Sequence, residues 1–336
     1  MHVMRMPLCI QNSRKEITMS RRNFLTSVLA IGLGTLAGPS FAQSLAGKEV
    51  KIGYQKNGVL YLAKQKGELE QALKAKGLSV KWVEFSFGPP LLEALNLGSI
   101  DYGTTGDSPP IFAQAAGANL LYVAAQEAAG SGSALLVAKD SPIQKLEDLK
   151  GKKVGFSKAS SAHNLTIAAL EKAGLTYQDI TPVYLAPADG AAAFAKGAID
   201  VWTIWDPFYA VAEYQPTTRV LAEAKGIVRQ NSFFLANKTY TQANPDIIAL
   251  VNTELAKTAK WAEQNRDSVS KILSEATGIP LDAQKKSTDR TDFVVVPINQ
   301  AVVAEQQRIA DRFHALGLIP HPIKVDEIIW TWKAGS

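Results

Sequence analysis

Cysteine is almost absent from this chain. The single one, Cys9, lies within the first 42 of 336 residues, a stretch that reads as a removable leader. The remainder has no thiol, which excludes disulfides, cysteine–metal sites and a cysteine nucleophile. Histidine is scarce as well. Only His163, His314 and His321 follow the leader, too few and too scattered for a His-rich metal site. H-E-x-x-H, G-x-x-x-x-G-K-[ST] and G-x-S-x-G do not occur. One G-x-G-x-x-A, Gly32–Ala37, sits inside the leader and is a chance match. These absences argue against an enzyme, and no cofactor or metal is expected.

A surplus of one charge is missing too. The formal net charge is +5, but residues 1–42 carry five Lys/Arg and one Glu of the chain's 36 and 31, leaving the rest at +1. Nucleic-acid binding wants a clustered basic face, so no nucleic-acid partner is expected. The leader itself has Arg5, Arg14, Lys15, Arg21 and Arg22, then the 15-residue apolar run FLTSVLAIGLGTLAG, then Ser40 and Ala42 in PSFAQ. That is the layout of a cleavable export signal. The run is short of the ~20 residues a membrane helix needs. SRRNFL resembles a twin-arginine signal; an ordinary Sec signal with two arginines is the other reading. Met1 and Met19 are both candidate starts.

What is present is a repeat. GSIDYGTTGDSPP begins at Gly98, and GAIDVWTIWDPF begins at Gly197, 99 residues later. Gly98, Ile100, Asp101, Thr104 and Asp107 recur as Gly197, Ile199, Asp200, Thr203 and Asp206. A helix-like stretch precedes each copy (LLEALNLG, AAAFAKG), and a strand-like one precedes that (VKWVEF, ITPVYL). Two copies are too few for a solenoid and suit two similar lobes. Strand patterns alternate with helix patterns of 8–14 residues from KEVKIGYQ onward, and the alternation restarts after SGSALLVAKDSPI. That is an α/β fold with a largely parallel sheet. One helix is expected from Leu60 to a stop at Gly77, and a strand at NSFFLANKTYTQANP. Beyond it PDIIALVNTELAKTAKWAEQN, DSVSKILSEATG, PINQAVVAEQQRIADRFHALG and KVDEIIWTW read as helical. This tail is expected to pack on the first lobe, with the chain crossing between lobes near 134–140 and 229–236.

Helix starts carry the candidate chemistry. Lys158–Asn164 follows the strand KKVGF and opens a helix; a helix N-terminus offers unpaired N–H groups and about half a positive charge. Ser160, Ser161, His163 and Asn164 add side-chain donors suited to a small oxyanion, against the plainer reading of a serine cap. Asp107 and Asp206, with Thr105 and Gly106 beside the first, stand just before Pro-containing helix starts. There they either cap or face a shared cleft beyond the strand ends. Gly88 in SFGPPLL permits close backbone approach. Tyr54, Gln55, Phe87, Trp202, Trp205 and Phe208 lie near strand ends and either line an apolar pocket or pack in the core.

Together GYQK, WVEF, GPPLLEAL, GSID, TGDSPPIFAQAAGA, SSAHN, PADGAAAF, IWDPF and PINQAVVAEQQRIADRF resemble the aliphatic sulfonate-binding proteins of ABC importers, over essentially the whole chain after the leader. Ala162 in SSAHN stands where that family commonly has a third serine. The resemblance implies a two-lobe periplasmic-binding-protein fold, type II-like, with two inter-lobe crossings and a helical C-terminal segment. The division it suggests is 1–42 signal peptide, 43–135 first lobe, 136–231 second lobe, and 232–336 return to the first. It implies a periplasmic monomer that delivers sulfonate sulfur to ABC permease subunits. Gln55, Phe87, Gly88, Thr105, Gly106, Asp107, Ser160, Ser161, His163, Asn164, Trp205 and Asp206 are the candidate ligand-binding residues. Taurine, nitrate and sulfate esters are alternative ligands. A desulfinase on the same scaffold is disfavoured, because such enzymes use a cysteine.

Overall fold

The computed structural model of the chain describes residues 48–333; the leader lies outside them. The first stretch runs β1 (Lys48–Tyr54), α1 (Gly58–Lys66), α2 (Glu68–Lys74), β2 (Leu78–Glu84), α3 (Gly88–Asn96), β3 (Tyr102–Gly106), α4 (Ser108–Ala115) and β4 (Leu120–Gln126). The chain then crosses to β5 (Ser133–Ala138), β6 (Lys153–Phe156), α5 (Ser161–Lys172), β7 (Thr181–Tyr184), α6 (Pro187–Ala195), β8 (Val201–Trp205), α7 (Phe208–Glu213) and β9 (Thr218–Glu223). It returns through β10 (Ser232–Asn237) to α8 (Lys238–Ala243), α9 (Pro245–Gln264), α10 (Arg266–Thr277), α11 (Leu281–Arg290) and α12 (Gln300–Ala315).

The two sheets have the same plan. Their orders are β2-β1-β3-β10-β4 and β7-β6-β8-β5-β9. In each, three parallel strands are followed by one antiparallel strand, β10 or β5, that arrives directly from the other lobe. The sheets are therefore mixed. The antiparallel member is a consequence of the crossings, which a βα alternation alone does not reveal.

The repeat has a physical cause. Asp101 Oδ2 accepts the Lys51 N–H at 2.8 Å, and Asp200 Oδ2 accepts the Lys153 N–H at 2.7 Å. Each aspartate thus ties the start of its β3-type strand to the neighbouring β1-type strand. Ile100 packs on Gly53 so closely that a β-carbon there would lie 2.5 Å from Cδ1, and Ile199 does the same to Gly155 at 2.3 Å. Gly98 and Gly197 end their helices at φ +68° and +66°, a conformation that penalises any side chain.

Several local expectations change. The helix expected to run to Gly77 breaks at Gly67, which takes φ 70° and separates α1 from α2. NSFFLANKTYTQANP is a strand only to Asn237, whose side chain caps α8 by accepting the Tyr240 N–H. The first crossing spans 127–132, earlier than expected, because Ser133 already pairs with Trp205 in the second sheet. KVDEIIWTW contributes only a 3₁₀ turn at Val325–Ile328 before Ile329 bridges to Tyr122.

Apolar faces decide where the helices sit. One face of the first sheet packs against α1, α2, α9 and α10 through residues such as Leu60, Ile248, Leu255 and Val269. The other packs against α3, α4 and α12 through Leu91, Ile111, Ile309 and Phe313. In the second sheet α5 covers one face and α6 and α7 the other. Most of the tail therefore lies on the first lobe; α11 reaches the second, where Arg290 pairs with Asp206 and Glu213.

Candidate functional site

A cleft of about 190 Å³ lies between the lobes. Four helix starts meet it: α1 at Asn57 and Gly58, α3 at Gly88, α4 at Gly106 and Pro109, and α5 at Ser160 and Ser161. None of the four has a side-chain cap on its first-turn amides. A missing cap is common in this fold, where only α8 and α12 among the described α-helices have one, from Asn237 and Asn299; what sets the four apart is that they meet at one cleft. Uncapped N-termini concentrate donors and partial positive charge, the arrangement that suits an anion.

Of the twelve sequence candidates, Gln55, Gly88, Thr105, Gly106, Ser160, Ser161, Trp205 and Asp206 line the cleft. Their roles differ. The Gln55 amide donates to the Thr104 carbonyl at 3.1 Å. Ser160 gives its one hydroxyl proton to the Ser157 carbonyl at 2.6 Å, which leaves it no donor for a sulfonate. Ser161 sits against Gly106, where a β-carbon on residue 106 would meet its Oγ at 2.0 Å.

Phe87, Asp107, His163 and Asn164 are placed elsewhere. Phe87 is half-buried at the α3 N-cap, outside the lining. Asp107 is fully buried and caps nothing; its carboxylate accepts the Ser108 hydroxyl at 2.8 Å and the Asn164 amide at 2.8 Å. Burial pushes its carboxyl above the usual range, opposed by the polar groups of Asn164, Ser161 and Ser108. The Asn164 carbonyl accepts from Arg312 of α12 at 2.8 Å, so Asp107 and Asn164 form a bridge between the lobes. His163 is also fully buried, its ring 4.9 Å from that of Phe156. Burial holds the imidazole down to about 3, with the Lys158 charge adding to it. Residues 163 and 164 stand one turn further along α5 than 160 and 161, beyond the cleft and against Phe313 and Asp107 of the first lobe.

Asp206, Arg290 and Asp292 are the charged residues of the cleft wall. Asp206 Oδ1 accepts the Ala210 N–H at 3.0 Å and lies 3.4 Å from Arg290 Nη1. Its Oδ2 is buried with no partner. Burial pushes this carboxyl up to about 6, against the opposing Arg290 charge. Arg290 also pairs with Glu213, and its guanidinium lies 3.9 Å from the Tyr209 ring centroid. Asn57, at the start of α1, donates across the cleft to the Asp206 carbonyl at 3.3 Å.

Arg290 was not legible as a site residue. LDAQKKSTDR has no apolar stripe, so the periodicity that reveals helices gives no α11. Gln126, Ser131, Gly132 and Gln230 also line the cleft. They sit at or beside the crossings, whose composition reads only as loop; the Gln230 amide holds the Ser161 carbonyl at 2.9 Å.

Comparison with known proteins places this geometry among relatives. A family model described as "NMT1/THI5 like" matches residues 56–269. A protein of Escherichia coli (strain K12) named as an aliphatic sulfonates-binding protein is 40% identical over 92% of this chain and 97% of its own. The alkanesulfonate-binding protein SsuA from Xanthomonas axonopodis pv. citri, solved bound to MOPS, superposes with a TM-score of 0.81 at 40% identity, covering 85% of this chain and 99% of that one. The periplasmic aliphatic sulphonate binding protein SsuA from Escherichia coli gives 0.78 at 39% identity, over 87% and 94%.

Proposed function

We propose, from the premise that this chain belongs to the NMT1/THI5-like family and within it to the aliphatic sulfonate-binding proteins, that it captures an alkanesulfonate in the inter-lobe cleft. It delivers that ligand to the membrane subunits of an ABC importer. It is a binding protein and not an enzyme. The observation that carries the reading is the convergence of four uncapped helix starts on one cleft. A sulfonate stays ionised at ordinary pH and only accepts hydrogen bonds, which matches walls made of N–H donors. The sulfonate oxygens sit at the starts of α4 and α5, near Gly106 and Ser161, and the tail lies along Trp205. Phe87, His163 and Asn164 act from outside the cleft.

The protein works in the periplasm as a monomer, exported by its first 42 residues, with Arg21 and Arg22 directing the twin-arginine route. Among the described residues no helix is long and apolar enough to cross a membrane.

A second reading rests on Asp206 Oδ2, a buried unpaired acceptor in the cleft wall. An ammonium group on the ligand is its natural partner, so an aminosulfonate such as taurine is the alternative cargo. A thermal-shift screen of the leaderless protein against alkanesulfonates, taurine, sulfate, nitrate and sulfate esters separates these. At one hundred times Kd a ligand adds about 2.7 kcal/mol, or roughly 5 °C or more in a chain of this size. A screen in which no sulfonate raises the midpoint refutes the assignment.

A further inference from the structure

The turn that leads into α5 contains an unusual backbone conformation. Ala159 has φ +59°, and among the described residues no other non-glycine residue has a positive φ. The left-handed region costs an L-residue free energy that glycine does not incur. This strain lies one residue before Ser160 and two before Ser161, both on the cleft wall. The Ala159 N–H donates to Nδ1 of His163 at 3.3 Å.

His163 is fixed on every side. Phe156 of its own lobe stacks on the ring at 4.9 Å between centroids. Phe313 and Phe112, from the first lobe, lie at 5.3 and 6.2 Å. Its Nε2 is 3.0 Å from the Tyr177 hydroxyl, which is 3.0 Å from the Tyr184 hydroxyl. A backbone N–H can only donate, so Nδ1 carries the lone pair and the ring proton sits on Nε2. Nε2–H then donates to the Tyr177 hydroxyl, which in turn donates to the Tyr184 hydroxyl. Hydrophobic packing alone does not require this: a phenylalanine would fill the same aromatic slot, but it has no acceptor for Ala159.

We propose that His163 is a positioning residue of the anion cleft: its neutral, Nε2-protonated ring holds Ala159 in the left-handed conformation and so fixes how Ser161 and the α5 start face the ligand. The proposal rests on reading the cleft as a sulfonate site. Because first-lobe aromatics press on the same ring, the shape of this turn is tied to the seating of one lobe on the other.

The test combines calorimetry with butanesulfonate and 15N NMR of the histidine ring. His163→Phe weakens binding about three- to tenfold, the worth of one lost hydrogen bond. His163→Asn, whose amide oxygen lies near the Nδ1 position, keeps more affinity than His163→Phe. Adding Ala159→Gly to His163→Phe restores binding to within about twofold, since glycine takes positive φ without help. A purely space-filling histidine would show no such rescue. In the unaltered protein at neutral pH the unprotonated ring nitrogen is Nδ1. Unchanged affinity in His163→Phe, no rescue by Ala159→Gly, or a proton on Nδ1 overturns the proposal. If His163→Phe does not fold, the ring tautomer decides alone. If the unaltered protein binds no sulfonate, the functional reading fails while the tautomer still decides the role of His163.

Discussion

Replacing Gly106 by alanine sets one lobe against the other. The new β-carbon would lie 2.0 Å from Ser161 Oγ and 3.2 Å from Ser161 Cβ. The first distance forces the hydroxyl to another rotamer; the second asks the facing backbones to part by a few tenths of an ångström. Ser161, whose hydroxyl faces the Asp107 carboxylate, then cannot turn its proton to an anion at the α5 start. A hydrogen bond to a charged group is worth about 1.5–3 kcal/mol, which is roughly 10- to 150-fold in Kd. The free protein's melting temperature should move by less than about 2 °C, because the clash lies between lobes and not inside a core. In a Ser161→Ala background the Oγ clash is gone, so Gly106→Ala should cost under about 0.5 kcal/mol. Calorimetry on the four proteins of this cycle with one alkanesulfonate measures the coupling. Wild-type affinity in Gly106→Ala, or the full loss repeated in the Ser161→Ala background, refutes the reasoning. Gly88→Ala is the contrast: its β-carbon meets the Pro109 ring at 2.7 Å within the first lobe, so the cost falls on stability.

The Asp206 carboxyl, pushed up to about 6, gives opposite pH profiles for two ligand classes. As pH rises through 6 the group ionises, so affinity for a plain alkanesulfonate falls and affinity for taurine rises; calorimetry at pH 5 and 7.5 reads the sign. The same linkage makes its contribution to unliganded stability greatest at low pH and lost as pH rises through about 6. Asp101→Ala should destabilise more than Asp200→Ala, by about 2 against under 1 kcal/mol in urea titrations, because the first aspartate is 7% exposed and the second lies at the surface. Tyr102→Phe removes the proton given to Asn252 Oδ1 at 2.6 Å in the core. It should lower stability by about 1–2 kcal/mol and leave sulfonate affinity unchanged.

Where a residue serves its own segment, the sequence makes it visible. The repeat was readable because Asp101 and Asp200, and Ile100 and Ile199, do the same local work in two lobes. Helices α5, α9 and α12 showed themselves through apolar stripes that meet a sheet or another helix. Residues whose partners lie far along the chain did not. Arg290 is 84 residues from Asp206, and its helix has no stripe. β9, TRVLAE, is a half-buried edge strand and lacks the alternation that marks strands. His163 and Asn164 were legible as part of a polar helix start, yet how far along α5 the cleft reaches is decided by Phe112, Phe313 and Asp107, which cover these two residues from the other lobe.

The strand exchange between the sheets also imposes an order of assembly. The second sheet is drawn from one uninterrupted piece of chain, from β5 to β9, whereas the first has β10 wedged between β3 and β4. A polypeptide emerging N-terminus first holds β4 with no neighbour to join until Asn237 has followed. The lobe made later is thus the earlier one able to finish its sheet, and a nascent chain halted between β9 and β10 carries one complete sheet and one that cannot close.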